Sequence, residues 1–161
     1  MLDINAIFAP GGVLSQHIAG FRTRAQQVEM AQAIANTIAK HQILVAEAGT
    51  GTGKTFAYLA PALLAGGKVI ISTGTKTLQD QLFNRDIPTV RAALGIPVTV
   101  ALLKGRANYV CHYHLERSLQ DTHMSFINRE EIQYLQQIES YAHISKEGDK
   151  SGLSEVPENA A

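Results

Sequence analysis

The sequence contains no tryptophan, one cysteine and few aromatic residues, and its scarcities exclude several classes of protein. Cys111 is the single cysteine, so an internal disulfide is impossible and a disulfide-stapled secreted domain is excluded. No apolar run approaches the roughly 18–20 residues that a membrane span requires, and the N-terminus lacks a basic flank followed by a cleavable apolar region. We therefore expect a cytoplasmic protein without a membrane segment.

The charge of the chain is balanced overall but unevenly distributed. There are 14 basic and 14 acidic residues, which gives no net charge. Residues 66–110 hold six Lys/Arg against two Asp/Glu, a net +4, whereas residues 111–161 hold four against nine, a net −5. A basic middle segment attracts polyanions such as nucleic acids, although an ordinary solvated surface shows the same charge density.

The apolar pattern predicts an α/β fold, in which a parallel sheet is flanked by helices. Short runs rich in β-branched residues at 43–46, 69–71 and 98–102 predict buried strands. Helical periodicity predicts a helix from Thr23, its expected N-cap, and a second helix at about 53–64. A third helix is expected through Leu78 and Leu82. Alternating strands and helices at this spacing imply right-handed crossovers in one sheet.

The two ends of the chain differ from this middle part. Residues 1–22 lack periodicity and contain Pro-Gly-Gly at 10–12, which predicts a loop. Residues 111–144 predict polar helices, and the Ser/Gly/Glu-rich residues 145–161 predict a disordered tail. The expected apolar stripe of the polar helices consists of Ile127, Ile132, Leu135 and Ile138. We divide the chain into segments 1–22, 23–110 and 111–161.

Residues 48–55 predict a phosphate-binding loop between a strand and a helix. They fit the pattern G-x-x-x-x-G-K-[ST], except that Ala48 stands where the first glycine is expected. The change is mild, because that position requires a small residue. Glycines let consecutive N–H groups face phosphate oxygens, Lys54 reaches the β- and γ-phosphates, and Thr55 offers a hydroxyl to Mg²⁺. The predicted nucleotide-binding loop is Ala48, Gly49, Thr50, Gly51, Thr52, Gly53, Lys54 and Thr55.

Polar segments on both sides of the loop suggest what the nucleotide is used for. Gln27, upstream, has an amide that can pair with an adenine edge, although a solvated glutamine near a helix start is the plainer interpretation. Downstream, residues 72–81 combine hydroxyls, amides and a lysine after a predicted strand. Such groups are typical of contacts with a nucleic acid backbone, and equally of a turn with a helix cap.

Four linked motifs carry a family resemblance. They are F-R-x-R-x-x-Q-x-x-M at 21–30, V-x-E-A-G-T-G-T-G-K-T-x-A-Y-L-x-P at 45–61, V-I-I-S-T-x-T-x-x-L-Q-D-Q-L at 69–82 and L-L-K-G-R-x-N-Y-x-C at 102–111. In this order and spacing they resemble the N-terminus of the DinG/YoaA branch of XPD-like, superfamily 2 DNA helicases. The resemblance is dense over residues 17–111.

The resemblance implies a P-loop NTPase with a RecA-like fold that uses ATP and Mg²⁺ to move 5′ to 3′ on single-stranded DNA. It also implies a 4Fe–4S cluster and work in repair or replication, with proteins of those processes as possible partners. Residue by residue, it implies adenine binding by Arg24 and Gln27, and Cys111 as the first of four cluster ligands. The residues it implies at the DNA strand are Thr73, Thr75, Gln79 and Gln81.

Several parts of such a motor are absent from the sequence. No D-E-A-H-like segment follows an apolar run, and neither three further cysteines nor a second RecA-like domain is present. We therefore expect an N-terminal part of a longer helicase, which binds ATP but does not unwind DNA. Two alternatives remain: a nucleotide- or DNA-binding module without turnover, and a P-loop nucleotide kinase, although no arginine-rich lid is found. Cys111 is alternatively an inert small hydrophobe, and the neighbouring His112 and His114 lack the second ligand pair of a zinc site.

Overall fold

The structure, a computed structural model, describes residues 3–121 and 129–153. The chain divides into two compact units, Met1–Leu102 and Leu103–Ala161, and each is described by itself. No helix among the described residues is long and apolar enough to cross a membrane.

Over its described residues, the first unit is built from six α-helices and one π-helical turn. The helices are α1 (Ile4–Phe8), α2 (Val13–His17), α3 (Ala25–Ala39), α4 (Lys54–Ala65), α5 (Lys76–Gln81) and α6 (Ile87–Leu94), and the π turn spans Leu82–Asp86. The helices predicted from Thr23 and at about 53–64 correspond to α3 and α4. Helix α6 has Pro88 in its first turn, where the missing N–H removes no intrahelical hydrogen bond.

The N-terminal segment holds α1 and α2 where the sequence predicted a loop. The Asp3 side chain caps α1 by accepting a hydrogen bond from the Asn5 N–H. Ile7, Phe8 and Leu14 are fully buried in the core of the first unit. Two five-residue helices are too short to show a helical period, so only their burial against the larger helices reveals them.

Helices α3 and α4 pack against each other and hold the centre of the core. Ala31 on α3 and Ala57, Leu59 and Ala60 on α4 are fully buried. Small side chains at this contact let the two helices approach closely. As a consequence, the first turn of α3 lies beside the first turn of α4, where the predicted phosphate loop ends.

The start of α3 differs by one residue from the prediction. Arg24 occupies the N-cap position, and it makes no side-chain capping bond. Thr23, the expected cap, instead donates its hydroxyl to the Phe8 carbonyl and so ties the entry of α3 to α1. A threonine hydroxyl can either accept from a helix N–H as a cap or donate to a nearby carbonyl. Here the Phe8 carbonyl of α1 is its partner.

The structure does not show the predicted parallel sheet. Among the described residues, the one β-bridge joins Tyr109 and Asp149, and the runs at 43–46, 69–71 and 98–102 form no ladder. Ile43, Val45 and Ile70 are 93–94% exposed. A buried parallel strand needs a hydrogen-bonded neighbour and helices over both faces, and the described residues supply no such neighbour to these runs.

A π turn joins α5 to α6 and was not expected from the sequence. The Ile87 N–H donates to the Leu82 carbonyl, five residues back. Leu82 and Asp86, at the two ends of the turn, are both buried. Short π segments are rare and often mark functional sites, because the extra residue re-aims the side chains around it.

The described residues of the second unit form a 3₁₀ turn at Arg106–Asn108, α7 (His112–Asp121), α8 (Arg129–Ile144) and a 3₁₀ turn at Lys150–Gly152. The predicted helices at 111–144 are present over α7 and α8. Ile138 is buried as the predicted stripe requires, whereas Ile132 is 36% exposed. Ile127 lies outside the described residues.

Residues 145–153, predicted to belong to a disordered tail, are held against residues 104–110 instead. The Lys104 ammonium lies 2.7 Å from the Asp149 carboxylate, and the two side chains are 5% and 16% exposed. The Val110 N–H donates to the Gly148 carbonyl at 2.8 Å. Composition predicts disorder where little apolar area is available, and here a shielded ion pair supplies the contact. Residues 154–161 of that tail lie outside the described residues.

Candidate nucleotide-binding site

The predicted phosphate loop forms a tight turn that leads into α4. Gly51 and Gly53 have φ of 76° and 81°, a conformation that glycine adopts without a steric penalty. Ala48 does not have a positive φ; among the described non-glycine residues, His41 does. The structure therefore confirms that Ala48 needs no glycine-like backbone, and alanine at this position leaves the turn intact.

Lys54 is held by the loop itself. Its ammonium donates to the carbonyls of Ala48 and Gly49 at 2.8 and 2.6 Å. The Thr52 hydroxyl donates to the same Gly49 carbonyl at 3.0 Å. These bonds place the positive charge of Lys54 over the loop, where a phosphate would lie, and they keep the loop closed around it.

Gln27 reaches from α3 to Gly53, the N-cap residue of α4. Its side-chain amide donates to the Gly53 carbonyl at 2.9 Å. A Cβ on Gly53 would come within 2.1 Å of the Gln27 Nε2 atom, so this approach requires glycine at position 53. Gln27 is 2% exposed. The plainer interpretation of the sequence, a solvated glutamine near a helix start, is therefore wrong.

The other end of the Gln27 amide has no partner. Its Oε1 atom is buried and accepts no hydrogen bond among the described residues. An unsatisfied buried acceptor costs about 1–3 kcal/mol, so a native one needs an explanation. A ligand that brings a donor to this oxygen would remove the penalty.

A cavity of about 190 Å³ lies at this place. Its lining includes the aromatic residues Phe21 and Phe56, the exposed Arg24, and Gln27 and Gly53. The volume is below the roughly 300–1,000 Å³ of pockets that enclose a drug-sized ligand. It suits a single flat base whose sugar and phosphates extend outwards towards the loop.

Thr55, the predicted Mg²⁺ ligand, lies in the first turn of α4 and is half-buried. Its side chain hydrogen bonds to Tyr58 one turn further along the helix. Burial raises the pKa of Tyr58 and the nearby Asp86 charge raises it further, whereas the Thr55 hydrogen bond lowers it. One hydroxyl is a fitting protein ligand for Mg²⁺, which usually keeps several waters and binds the substrate phosphates.

The residues predicted to face DNA are largely engaged in local hydrogen bonds. Thr75 is the N-cap of α5 and accepts from the Leu78 N–H at 3.2 Å, while Thr73 donates to the Thr75 carbonyl. The Gln81 amide donates to Asp86 at 2.7 Å. This is the turn-and-cap arrangement that was the alternative interpretation of the cluster, so contact with DNA stays a prediction for Thr73, Thr75, Gln79 and Gln81.

Asp86 is a buried residue that the sequence analysis did not assign to any site. It is 3% exposed and accepts hydrogen bonds from Gln81 and from the Arg85 Nε atom, the latter at 2.9 Å. Gln81 and Asp86 are five residues apart, so they do not share a face of an ordinary α-helix. The π turn brings Gln81 and Asp86 together, and no sequence pattern predicts a π turn here.

The residues around Cys111 do not by themselves form a cluster site. Cys111 is exposed, and its carbonyl accepts the Leu115 N–H at the start of α7. One thiolate is a quarter of the ligand set of a 4Fe–4S cluster. The described residues bring no three His, Cys, Asp or Glu side chains together.

The chain matches a known protein family and several curated proteins. Residues 25–145 match the family described as DEAD/DEAH box helicase. The chain is 48% identical over 158 residues to the ATP-dependent DNA helicase YoaA of Haemophilus influenzae, covering 98% of this chain and 24% of that protein. It is 61% identical over 110 residues to YoaA of Escherichia coli K12, covering 68% of this chain and 17% of that protein.

More distant matches bear the name DinG. One is the ATP-dependent helicase DinG of Mycobacterium tuberculosis, 43% identical over 110 residues, covering 63% of this chain and 16% of that protein. No solved structure matches the chain. The resemblance to the DinG/YoaA helicases is thereby confirmed, and this chain spans about a quarter or less of each of these relatives.

Proposed function

This chain belongs to the DEAD/DEAH box helicase family, and we propose that it forms the ATP-binding part of a DNA helicase. Family membership implies a P-loop, RecA-like fold. The curated relatives are named ATP-dependent DNA helicases, which implies ATP and DNA as ligands. The finer assignments are ours: 5′-to-3′ movement on single-stranded DNA, hydrolysis of ATP, and work in repair or replication in the cytoplasm.

The observation that supports ATP best is the unpaired Gln27 oxygen in a base-sized cavity beside the phosphate loop. Adenine carries an exocyclic amine that donates to this oxygen, whereas guanine presents a carbonyl oxygen at the corresponding position. An acceptor facing an acceptor leaves both unsatisfied. The expected discrimination is about 1–3 kcal/mol, or roughly 5- to 150-fold in Kd.

The phosphates would extend from this cavity to the loop. Lys54 would exchange the Ala48 and Gly49 carbonyls for phosphate oxygens, and Thr55 would turn its hydroxyl towards Mg²⁺. Mg²⁺, when bound, neutralises charge on the β- and γ-phosphates. Backbone N–H groups of the loop and the start of α4 add partial positive charge.

We propose that this chain supplies nucleotide binding, and that turnover needs residues that this sequence does not hold. The sequence offers no acid after an apolar strand to position water, and the first unit lacks a paired sheet over its described residues. In a longer protein, the runs at 43–46, 69–71 and 98–102 would become strands when neighbours pair with them. The iron–sulfur cluster likewise requires cysteines in addition to Cys111.

The test of adenine binding compares ATP with GTP. Titration of the 161-residue chain with fluorescent ATP and GTP analogues should give a lower Kd for ATP. Gln27→Leu should bring the two values together, since leucine removes the selective oxygen. Gln26→Leu is a matched control, because Gln26 is an exposed neighbour on α3. Equal affinity for ATP and GTP in the unaltered chain would contradict the adenine assignment.

The test of the helicase assignment uses the longer protein that contains this chain. Single-stranded DNA should stimulate its release of phosphate from ATP, and a duplex with a 5′ single-stranded tail should be unwound in preference to one with a 3′ tail. Stimulation by DNA also separates a helicase from a nucleotide kinase. Preference for the 3′ tail would refute the proposed direction of movement.

A further inference from the structure

Arg85 is an exposed arginine whose side chain is held by a buried acid. Its Nε–H donates to the Asp86 Oδ1 atom at 2.9 Å, and the two side chains are 68% and 4% exposed. A buried carboxylate is stable only when hydrogen-bonded partners compensate for the lost water. Arg85 supplies one of these partners, so its Nε atom is fixed while most of the side chain lies in solvent.

The other oxygen of Asp86 is also bonded, which decides how Arg85 and Asp86 meet. The Gln81 amide donates to the Oδ2 atom at 2.7 Å, so Arg85 and Asp86 share a single N–H bond and not a bidentate pair. A guanidinium has five N–H groups, and one of them is used here. Over the described residues, the Arg85 side chain makes no other hydrogen bond. The N–H groups of its two Nη atoms are therefore available to a ligand.

The chemistry of this end of Arg85 suits a phosphate. Parallel N–H groups of a guanidinium match two oxygens of one phosphate, and the planar group binds such an anion in a defined direction. The surrounding sequence favours an anion as well, because residues 66–110 carry a net charge of +4. Lys76, the first residue of α5, is exposed, whereas the two acids of this segment, Asp80 and Asp86, are half-buried and buried.

Arg85 is also held by its backbone, since it lies within the π turn. The Thr89 hydroxyl donates to the Arg85 carbonyl at 2.7 Å, which ties the turn to the first part of α6. The turn itself brings Gln81 and Asp86 into contact across five positions. A side chain fixed at both its backbone and its Nε atom has less freedom to lose when it binds, which favours affinity.

We propose that Arg85, held by Asp86, binds a backbone phosphate of a single DNA strand. The inference rests on the proposed function, which takes DNA as a ligand, and it adds a residue to the four predicted to face the strand. Gln81, one of those four, is bonded to the same carboxylate, so Arg85 lies beside a predicted contact. A phosphate contact holds a strand without reading its bases, so this contact is independent of DNA sequence.

The test measures how salt changes the binding of single-stranded DNA. A fluorescein-labelled oligothymidylate is titrated with the 161-residue chain at several NaCl concentrations, and the slope of log K against log salt concentration is taken. Each phosphate contact on a single strand contributes about 0.7 to the magnitude of this slope. Arg85→Gln should lower the magnitude by about 0.7 and raise the Kd about 5- to 10-fold at low salt. An oligoadenylate should show the same loss.

Three further variants separate a positioned contact from net charge and from folding. Arg85→Lys keeps the charge but loses the planar group, so the Kd should rise here too. Arg85→Gln combined with Asp86→Asn leaves the net charge unchanged and no buried charge unpaired, so it tests the contact even if Arg85→Gln alone unfolds the chain. Arg91→Gln is the matched control, because Arg91 is another exposed arginine and its Nη1 atom donates to the Val98 carbonyl.

The outcomes distinguish this inference from the proposed function. If the unaltered chain binds no oligonucleotide, DNA fails as a ligand of this chain and the inference fails with it. If DNA binds but Arg85→Gln changes neither Kd nor slope, if Arg85→Lys binds fully, or if Arg91→Gln causes an equal loss, the Arg85 contact alone is overturned. A loss of affinity for ATP and not for DNA would overturn it too, since the phosphate would then be that of the nucleotide. A loss confined to DNA in all the Arg85 variants supports the contact.

Discussion

Two polar regions of the first unit deal with their hydrogen bonds in opposite ways. Around the phosphate loop, Gln27 has a buried oxygen without a partner beside a cavity. Around α5, the side chains of Thr73, Thr75 and Gln81 form hydrogen bonds with neighbouring residues. The first region is prepared for a ligand, whereas the second must give up internal bonds to receive one. Under the proposed function, a nucleotide would meet a formed site, whereas DNA would meet a surface that first has to rearrange.

Among the variants that test this contrast, Lys54→Ala should have the largest effect, on the Kd for ATP. Its ammonium is the charge at the loop, and hydrogen bonds to charged groups contribute about 1.5–3 kcal/mol each. Loss of two of them should raise the Kd for ATP by about 100-fold or more. Isothermal titration calorimetry provides the measurement. Lys40→Ala, at the exposed end of α3, should leave the Kd unchanged, and a comparable loss in that variant would argue against a specific role for Lys54.

The next effect is expected from Gly53→Ala. Alanine at a φ of 81° is strained by about 1–2 kcal/mol, and its Cβ would also collide with Gln27. The expected loss in the free energy of unfolding is about 2–5 kcal/mol, since crowding adds about 1–3 kcal/mol to the backbone strain. Urea denaturation followed by circular dichroism measures it.

Gly11→Ala is the matched control for the collision. Gly11 has a φ of 80°, and a Cβ there meets nothing within 4 Å. The difference between the two variants isolates the contact with Gln27. Equal losses would mean that Gln27 moves away freely, and the prepared site would then be less rigid than its hydrogen bonds suggest.

The smallest effect concerns the cap of α5. Thr75→Val removes the oxygen that accepts the Leu78 N–H, which should destabilise the unit by about 1 kcal/mol. Thr73→Val removes a donor to one carbonyl and should have a smaller effect on thermal unfolding. If Thr75→Val weakens DNA binding with no change in stability, the hydroxyl serves the ligand and not the helix, and the contrast between the two regions breaks down.

The sequence predicted the glycine-rich turn and the helix after it better than the sheet around them. The turn follows from motif spacing, because a phosphate loop is a local structure and depends on neighbouring residues, whereas nucleotide binding by Gln27, Lys54 and Thr55 stays a prediction. Helices α3 and α4 are long enough for their apolar period to be visible. The sheet is a different matter, since a parallel strand is stabilised by partners that are distant in sequence.

Other features could not be read from spacing at all. The short helix α1 is fixed by burial of Ile7 and Phe8, and its five residues carry no period. The contact between Gln81 and Asp86 depends on a π turn, which has no sequence signature. The pairing of Lys104 with Asp149 spans 45 positions and opposes the disorder that the composition of residues 145–153 predicts.

The exposed apolar runs have a consequence for how the protein behaves in solution. Ile43, Val45 and Ile70 project β-branched side chains almost fully into water, next to backbone groups without ladder partners among the described residues. Such edges attract one another between molecules. Light scattering should therefore increase with concentration for this chain, and colloidal stability, more than affinity for ATP, will set the concentrations at which it can be handled.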